Sequence, residues 1–244
     1  MGYYRDEGVV LRSMRLGEAD RIVTILTLEH GKVRAVAKGV RRTKSRLGAR
    51  LEPLSHVTLL CWRGRELDVV TQVEVIESFR SVREDLDALS AGLVLLEVAD
   101  QFALERHGTP ELFRMLLGAL RSLERSKSSM LVGAFCWKLL AQEGLGPSLE
   151  RCARCGEIAE LVAFDPREGG FLCPACRRGQ QVSPDAIALI RRILGGGLAG
   201  VLAQAASPAA REMEHLATLA TEYHLDRRLR SARHLGTGAT SHGG

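Results

Sequence analysis

The first 80 residues carry apolar positions at intervals that suit strands. Segments 6–12, 19–28, 31–38, 55–62 and 66–77 are rich in Val, Ile, Leu and Thr, residue types that fit a pleated, half-buried surface. In the last segment Leu67, Val69, Thr71, Val73 and Val75 fall on one face, and Asp68, Gln72 and Glu74 on the other. That two-residue period predicts a strand with one buried side. His30-Gly31 marks a turn between the second and third segments, and Gly64 separates the fourth from the fifth. Five short strands in so little chain predict a small closed barrel. The OB-fold fits, and a barrel of SH3 type fits the strand count equally well.

From 82 to 145 the period becomes helical. Leu86, Leu89, Leu93, Leu96, Ala99 and Phe102 or Ala103 step by three and four along one stripe. Thr109-Pro110-Glu111 reads as a helix start, with Thr109 as the cap. Leu112, Leu116, Leu117, Leu120 and Leu123 continue it. A third helix is predicted over 129–143, stopped by Gly144 and Gly146-Pro147. Ser183-Pro184-Asp185 opens a helix to about 194, broken by Gly195–Gly197, and Pro208 opens a last one to about 231. The tail 236–244 is Gly, Thr and Ser with one Ala and one His, a composition expected to be disordered. The expected fold class is α+β. An N-terminal five-stranded OB-fold barrel (1–80) precedes an α-helical domain (81–147 and 182–235) with an inserted four-cysteine zinc knuckle (148–181).

The cysteines change the picture most. Cys152-x2-Cys155 and Cys173-x2-Cys176 are separated by seventeen residues, a spacing typical of zinc sites. A two-residue spacer turns the chain tightly enough for both thiolates to reach one ion, and two such knuckles complete a tetrahedron. Gly156 follows the first pair where the turn needs backbone freedom. Four thiolates leave no open coordination position, so the expected zinc is single and structural. A redox dithiol would need only one pair. Cys61 and Cys136 sit alone in apolar segments and read as core residues. The histidines at 30, 56, 107, 215, 224, 234 and 242 form no ligand spacing.

The chain has 244 residues and a net charge of +5. That excess says little until its distribution is considered. Residues 31–50 hold Lys32, Arg34, Lys38, Arg41, Arg42, Lys44, Arg46 and Arg50 with no Asp or Glu. Phosphates neutralise such a run and release counterions as they do. Lys38, Arg41, Arg42, Lys44, Arg46 and Arg34 are therefore the candidate DNA-binding residues; a solvated basic loop with no partner is the plain alternative. Arg227, Arg228, Arg230 and Arg233 are expected to end the last helix, where cations favour the macrodipole without any ligand. Arg151, Arg154, Arg177 and Arg178 flank the knuckles. The barrel region has few aromatics, namely Tyr3, Tyr4, Trp62 and Phe79, so affinity is expected to rest on charge and not on base stacking.

Several classes are excluded. No P-loop motif occurs, so no nucleotide cofactor is expected. Carboxylates are dispersed, and Glu84-Asp85-Leu86-Asp87 fits the first turn of a helix; no catalytic residues are predicted. No signal-like or membrane-spanning run appears, which points to the cytoplasm, where paired cysteines are metal ligands more often than disulfides.

The stretch 8-GVVLRSMRLGEADRIVTILTLEHGKVRAVAKGVRRTKSR-46 resembles the N-terminal region of bacterial RecO recombination mediators. The shared elements are Gly17-Glu18-x-Asp20, Ala37-Lys38-Gly39-x-Arg41-Arg42, and Ser45-Arg46; 51-LEPLSHVTLL-60 fits as well. The resemblance covers roughly 5–231. Near the end, 223-YHLDRRLRS-231 is similar to the family's last helix, with Asp226 where Gly is more usual. The resemblance implies a nucleoid-associated DNA repair protein. It would bind single- and double-stranded DNA and anneal complementary strands. With RecR it would help load RecA onto DNA covered by single-strand-binding protein. An RNA-binding or ribosome-associated zinc protein, and a metal-dependent nuclease, are the competing readings.

Overall fold

In a computed structural model of the chain, residues 2–40 and 48–231 are described. They form two compact units that divide between Arg125 and Ser126. The first unit begins with five strands: β1 (Tyr3–Leu16), β2 (Asp20–Thr27), β3 (Gly31–Ala37), β4 (His56–Trp62) and β5 (Asp68–Glu77). They close in the order β1-β2-β3-β5-β4, with β4 returning to β1. All pairs are antiparallel except β3–β5. That parallel crossover makes the barrel an OB-fold, which strand count alone does not distinguish from an SH3-type barrel. Val10, Val23, Ile25, Val33, Ala35, Val57, Leu59 and Val73 fill the interior.

Strand β5 departs from the simple alternation. Cys61 pairs with Val70 but Leu60 pairs with Gln72, so Thr71 is an extra residue. A bulge of this kind exchanges the faces on either side of it. The buried residues are therefore Asp68, Val70 and Val73, whereas Thr71 and Val75 are exposed. The expected face Leu67–Val69–Thr71–Val73–Val75 is corrected accordingly. Thr71 Oγ1 donates to the Leu60 carbonyl at 2.8 Å, which fixes the bulge.

Three helices follow in this unit: α1 (Arg80–Arg83), α2 (Leu86–Phe102) and α3 (Pro110–Ser126). Helix α2 is capped by Asp85, which accepts from Ala88 N. Its buried set includes Ala88, Gly92, Leu95, Leu96 and Ala99, while Leu86 is 78% exposed and Leu93 is also exposed. The predicted leucine stripe thus lies partly on the wrong side of the helix. Small residues were the better guide here: a Cβ at Gly92 would come within 3.0 Å of Leu54 Cδ2. Helix α3 starts where Pro110 predicts, but the buried Thr109 hydroxyl makes no cap bond.

The second unit contains α4 (Leu131–Gln142), α5 (Pro184–Leu194), α6 (Leu198–Leu202) and α7 (Pro208–His224). It also contains a small sheet of β6 (Ala163–Asp165), β7 (Gly170–Leu172) and β8 (Gln180–Gln181), which the hydrophobic pattern did not reveal. Helices α4, α5 and α7 pack on one another. Trp137 on α4 is fully buried and donates from Nε1 to the Met213 carbonyl at 3.2 Å. Ser183 and Ser207 cap α5 and α7. The last helix ends at His224, not near 231. Asp226 has a φ of +50°, the left-handed conformation that terminates helices and that glycine adopts most readily.

Gly31 offers a direct test of the first unit. Its φ is +65°, and an added Cβ would sit 1.8 Å from the His107 carbonyl oxygen. Gly31→Ala should destabilise the protein by about 2 kcal/mol or more, from left-handed strain plus overlap with backbone. Urea denaturation measures it; a loss under about 0.5 kcal/mol would show that the contact relaxes freely.

Candidate metal centre and nucleic-acid face

The cysteine module is built by short, local hydrogen bonds. Residues 152–155 form a tight turn in which Gly156 N donates to the Cys152 carbonyl at 2.9 Å. Gly156 has a φ of +75°, so the turn relies on the glycine there. Ala153 N donates to the Phe171 carbonyl at 2.8 Å, which ties this knuckle to β7. Cys173 directly follows β7, and the 3-10 turn Pro174–Cys176 brings Cys176 round, its N–H donating to the Cys173 carbonyl at 3.1 Å. Phe164 and Phe171 stack at 5.0 Å and meet Trp137 at 5.9 and 6.5 Å. The module is thus seated on α4 by an aromatic cluster.

The four sulfurs all lie within 4.8 Å of one another. Cys155 and Cys173 are 3.8 Å apart at Sγ and all four cysteines are free. A disulfide would require about 2.05 Å. A tetrahedron with metal–sulfur bonds of about 2.3 Å has edges of about 3.8 Å. The electrostatics agree. Cys152 is lowered to about 6, chiefly because its sulfur accepts from the Cys155 N–H. Cys176 is pushed up to about 12, by burial and then by the neighbouring thiols. Four thiolates cannot share this space without a cation. The residues present therefore fit one closed metal site. Among the described residues no other group of three or more His, Cys, Asp or Glu side chains gathers as closely. Cys61 and Cys136 are buried, as expected, and burial pushes each thiol up to about 12.

Of the candidate DNA-binding residues, Arg41, Arg42, Lys44 and Arg46 lie outside the described residues. Arg34 and Lys38 are exposed, and neither is ion-paired with another described residue. Arg34 is on the outer wall because Val33 and Ala35 point into the barrel. The other cations of the 31–50 run have structural roles. Lys32 Nζ donates to the Asp100 carbonyl at 2.6 Å and lies 3.5 Å from its carboxylate, a counter-charge remote in sequence. Arg50 donates to the Val73 carbonyl at 2.9 Å. Arg12, which sequence reasoning passed over, reaches the outer wall through a bulge between Val10 and Arg12. It faces Thr24, which faces Arg34, and it pairs with Asp100 at 3.2 Å. Sequence carries no signal for that bulge.

The remaining basic groups are placed as follows. Arg227, Arg228 and Arg230 lie beyond the end of α7 and are exposed, so they do not serve as a helix-terminal cluster; Arg233 lies outside the described residues. Arg178 pairs with Glu168 and Asp165, and Arg151 donates to the Gly156 carbonyl, so both brace the cysteine module. His30 is tied to the buried Asp6 at 2.7 Å, and His56 to Glu7 at 2.6 Å; both have structural partners.

An OB barrel with exposed cations on its outer wall, followed by helices and a four-cysteine cluster that could hold one metal ion, defines the class of protein. Residues 1–79 match the family model for the N-terminal region of recombination protein O, and residues 83–233 match the model for its C-terminal region. The chain belongs to the RecO family. It is 44% identical over 240 residues to the DNA repair protein RecO of Nocardioides sp., covering 93% of this chain and 97% of that protein. It is 42% identical over 241 residues to the RecO of Frankia casuarinae (96% and 99%) and 41% identical over 239 residues to that of Thermobifida fusca (96% and 98%). No helix among the described residues is long and apolar enough to cross a membrane.

Charge reversal should separate the structural cations from the free ones. Arg34→Glu and Lys38→Glu should each change stability by less than about 0.5 kcal/mol, as expected of exposed, unpaired residues. Lys32→Ala should cost about 1–3 kcal/mol, because it leaves Asp100 short of a partner in a mostly buried setting. Equal losses in urea denaturation would contradict this division.

Proposed function

We propose that the chain is a DNA-binding recombination mediator that catalyses no reaction and works in the cytoplasm on the nucleoid. It binds single- and double-stranded DNA and anneals complementary strands. With RecR it helps load RecA onto strands covered by single-strand-binding protein. The observation that carries this reading is the pair of exposed cations, Arg34 and Lys38, neither ion-paired among the described residues, on the outer wall of an OB barrel and leading in sequence into the basic run Arg41, Arg42, Lys44 and Arg46. Phosphate contacts of this type position a protein on nucleic acid without reading its sequence. Family membership and the names of the relatives, DNA repair proteins, support the same direction.

The metal in this reading is one zinc ion per chain, held by Cys152, Cys155, Cys173 and Cys176. A closed thiolate site contributes folding energy and offers no position for substrate. The partner surface is assigned to residues 184–231. There a groove of about 490 Å³ between α5, the start of α7 and the segment that joins α6 to α7 is lined by Leu189, Arg192, Gln204 and Pro208, among others. Single-strand-binding protein is its proposed occupant.

Three outcomes follow. If Lys38, Arg41, Arg42, Lys44 and Arg46 each neutralise one phosphate, log K for single strands should fall against log salt with a slope near about −3.5, from about −0.7 per contact. Arg41→Glu with Arg42→Glu should weaken binding to all sequences and flatten the slope by two contacts' worth; an unchanged slope would move the interface elsewhere. Metal analysis should find one zinc per chain, and Cys152→Ser or Cys176→Ser should lose it and loosen residues 148–181. Stable, metal-free wild-type protein would refute the site. Deletion of α7 should abolish capture of single-strand-binding protein in a pull-down; retained capture would refute the assigned surface.

A further inference from the structure

The barrel's outer wall carries a row of apolar residues that no single strand reveals. The register traces it from strand to strand. Tyr3 on β1 pairs with Trp62 on β4, Trp62 with Val69 on β5, and Val69 with Val36 on β3. Val36 then pairs with Ile22 on β2, and Ile22 with Met14, back on β1. The sequence neighbours of Trp62, Val69, Val36 and Ile22 point inward, since Cys61, Val70, Ala35, Ala37 and Val23 belong to the barrel core, and Tyr3 and Met14 share a face with their register partners Trp62 and Ile22. All six residues of the row are therefore on the outside. The row winds once round the barrel and returns to β1 at its opposite end, as the stagger of a closed barrel requires.

This belt is accessible where it is richest. Tyr3 is 63% exposed, Trp62 38% and Met14 53%; Val36, Ile22 and Val69 are partly exposed. Tyr3 and Trp62 pack edge to face at 4.7 Å, so the two rings hold each other in place beside solvent. Exposed rings fixed in this way lose little entropy when a planar group stacks on them. Cations accompany the belt along its length. Arg34 and Lys38 lie on either side of Val36, Arg63 follows Trp62 and Arg5 lies two residues from Tyr3, and all four are exposed. Arg63 leans over the Tyr4 ring at 5.3 Å.

We infer that this belt is a track for single-stranded DNA, on which bases stack against Trp62 and Tyr3 and phosphates meet Arg34 and Lys38. The inference rests on the DNA-binding reading above and gives it a strand preference. A duplex hides its base faces and can use only the cations. A single strand can use both, because apolar and aromatic side chains accept any base face. The expectation that this barrel has little to stack with is revised here. The aromatics are few, but two of them are exposed and adjacent.

Tryptophan emission tests the inference on the full chain. The protein has two tryptophans, and Trp137 is 0% exposed, so a change on binding reports Trp62. Titration with an oligo(dT) single strand should quench the emission, and Trp62→Phe should remove the quenching. Trp62→Ala should weaken oligo(dT) binding roughly tenfold, and Tyr3→Ala severalfold, the scale of one lost stacking partner. Neither should change duplex affinity beyond about twofold, nor the salt slope, since no phosphate contact is lost. Arg34→Glu with Lys38→Glu should instead weaken both polymers and flatten the slope. Tyr3 is so exposed that its replacement tests stacking even if Trp62→Ala folds poorly. Unquenched emission, with oligo(dT) affinity unchanged in Tyr3→Ala while wild type binds both polymers, would overturn the belt and leave the DNA-binding reading standing. Failure of the wild type to bind either polymer would overturn both.

Discussion

The barrel closes through two residue pairs. Ala35–Asp68 and Val36–Val69 are the whole of the parallel β3–β5 ladder. Every statement about the outer wall depends on that closure, because it fixes which residues of five strands share a row. So short a ladder needs other support, and Asp68 supplies it. Its buried carboxylate accepts from the Tyr4 hydroxyl at 2.5 Å, from Gly64 N at 3.0 Å and from Arg106 at 3.1 Å. Burial and this hydrogen bond push the Tyr4 hydroxyl well above its ordinary range, so it remains a donor at any physiological pH. A buried charge this well satisfied specifies one register; unpaired, it would oppose closure altogether. The lock joins β1, β5 and the segment after α2. The wall that faces DNA in our account is thus held by an ion cluster at the end of the barrel.

The second unit follows a different physical logic. Its cysteine module has three very short strands and little apolar volume of its own. Such a segment gains order from what it is attached to. Phe164 and Phe171 dock on Trp137, and the four cysteine sulfurs converge within 4.8 Å of one another. In the proposed reading, a metal ion held by these thiolates contributes the folding energy that so small a module lacks. Its role in this account is to hold the surface of α5 to α7 in shape, with no part in chemistry.

Much of this was legible in sequence where a residue type has one physical use. The cysteine spacing located the four-sulfur cluster, and Ser183-Pro184 and Pro208 located two helix starts. Cys61 and Cys136 were read as core from their apolar surroundings. The α+β class and five-stranded barrel followed from strand number. What was not legible depended on pairing between distant residues. The bulges at Leu11 and Thr71 exchange inside and outside, and nothing local announces them. Lys32 looked like a free cation because Asp100 is far away in the chain. The leucines of α2 drew attention from Ala88 and Gly92, whose small size marks the packed side. The Tyr3–Trp62 pair was invisible for the same reason: the two rings are remote in sequence and meet only through the β1–β4 register.

The central claim is that DNA lies on the barrel wall and not on the cysteine module. Amide hydrogen exchange with and without a saturating oligo(dT) strand tests it most directly. The account predicts slowed exchange in residues 3–5, 20–24, 34–40 and 60–63, with no change in 150–180. Slowing confined to 150–180, or to the segment beyond α7, would contradict it.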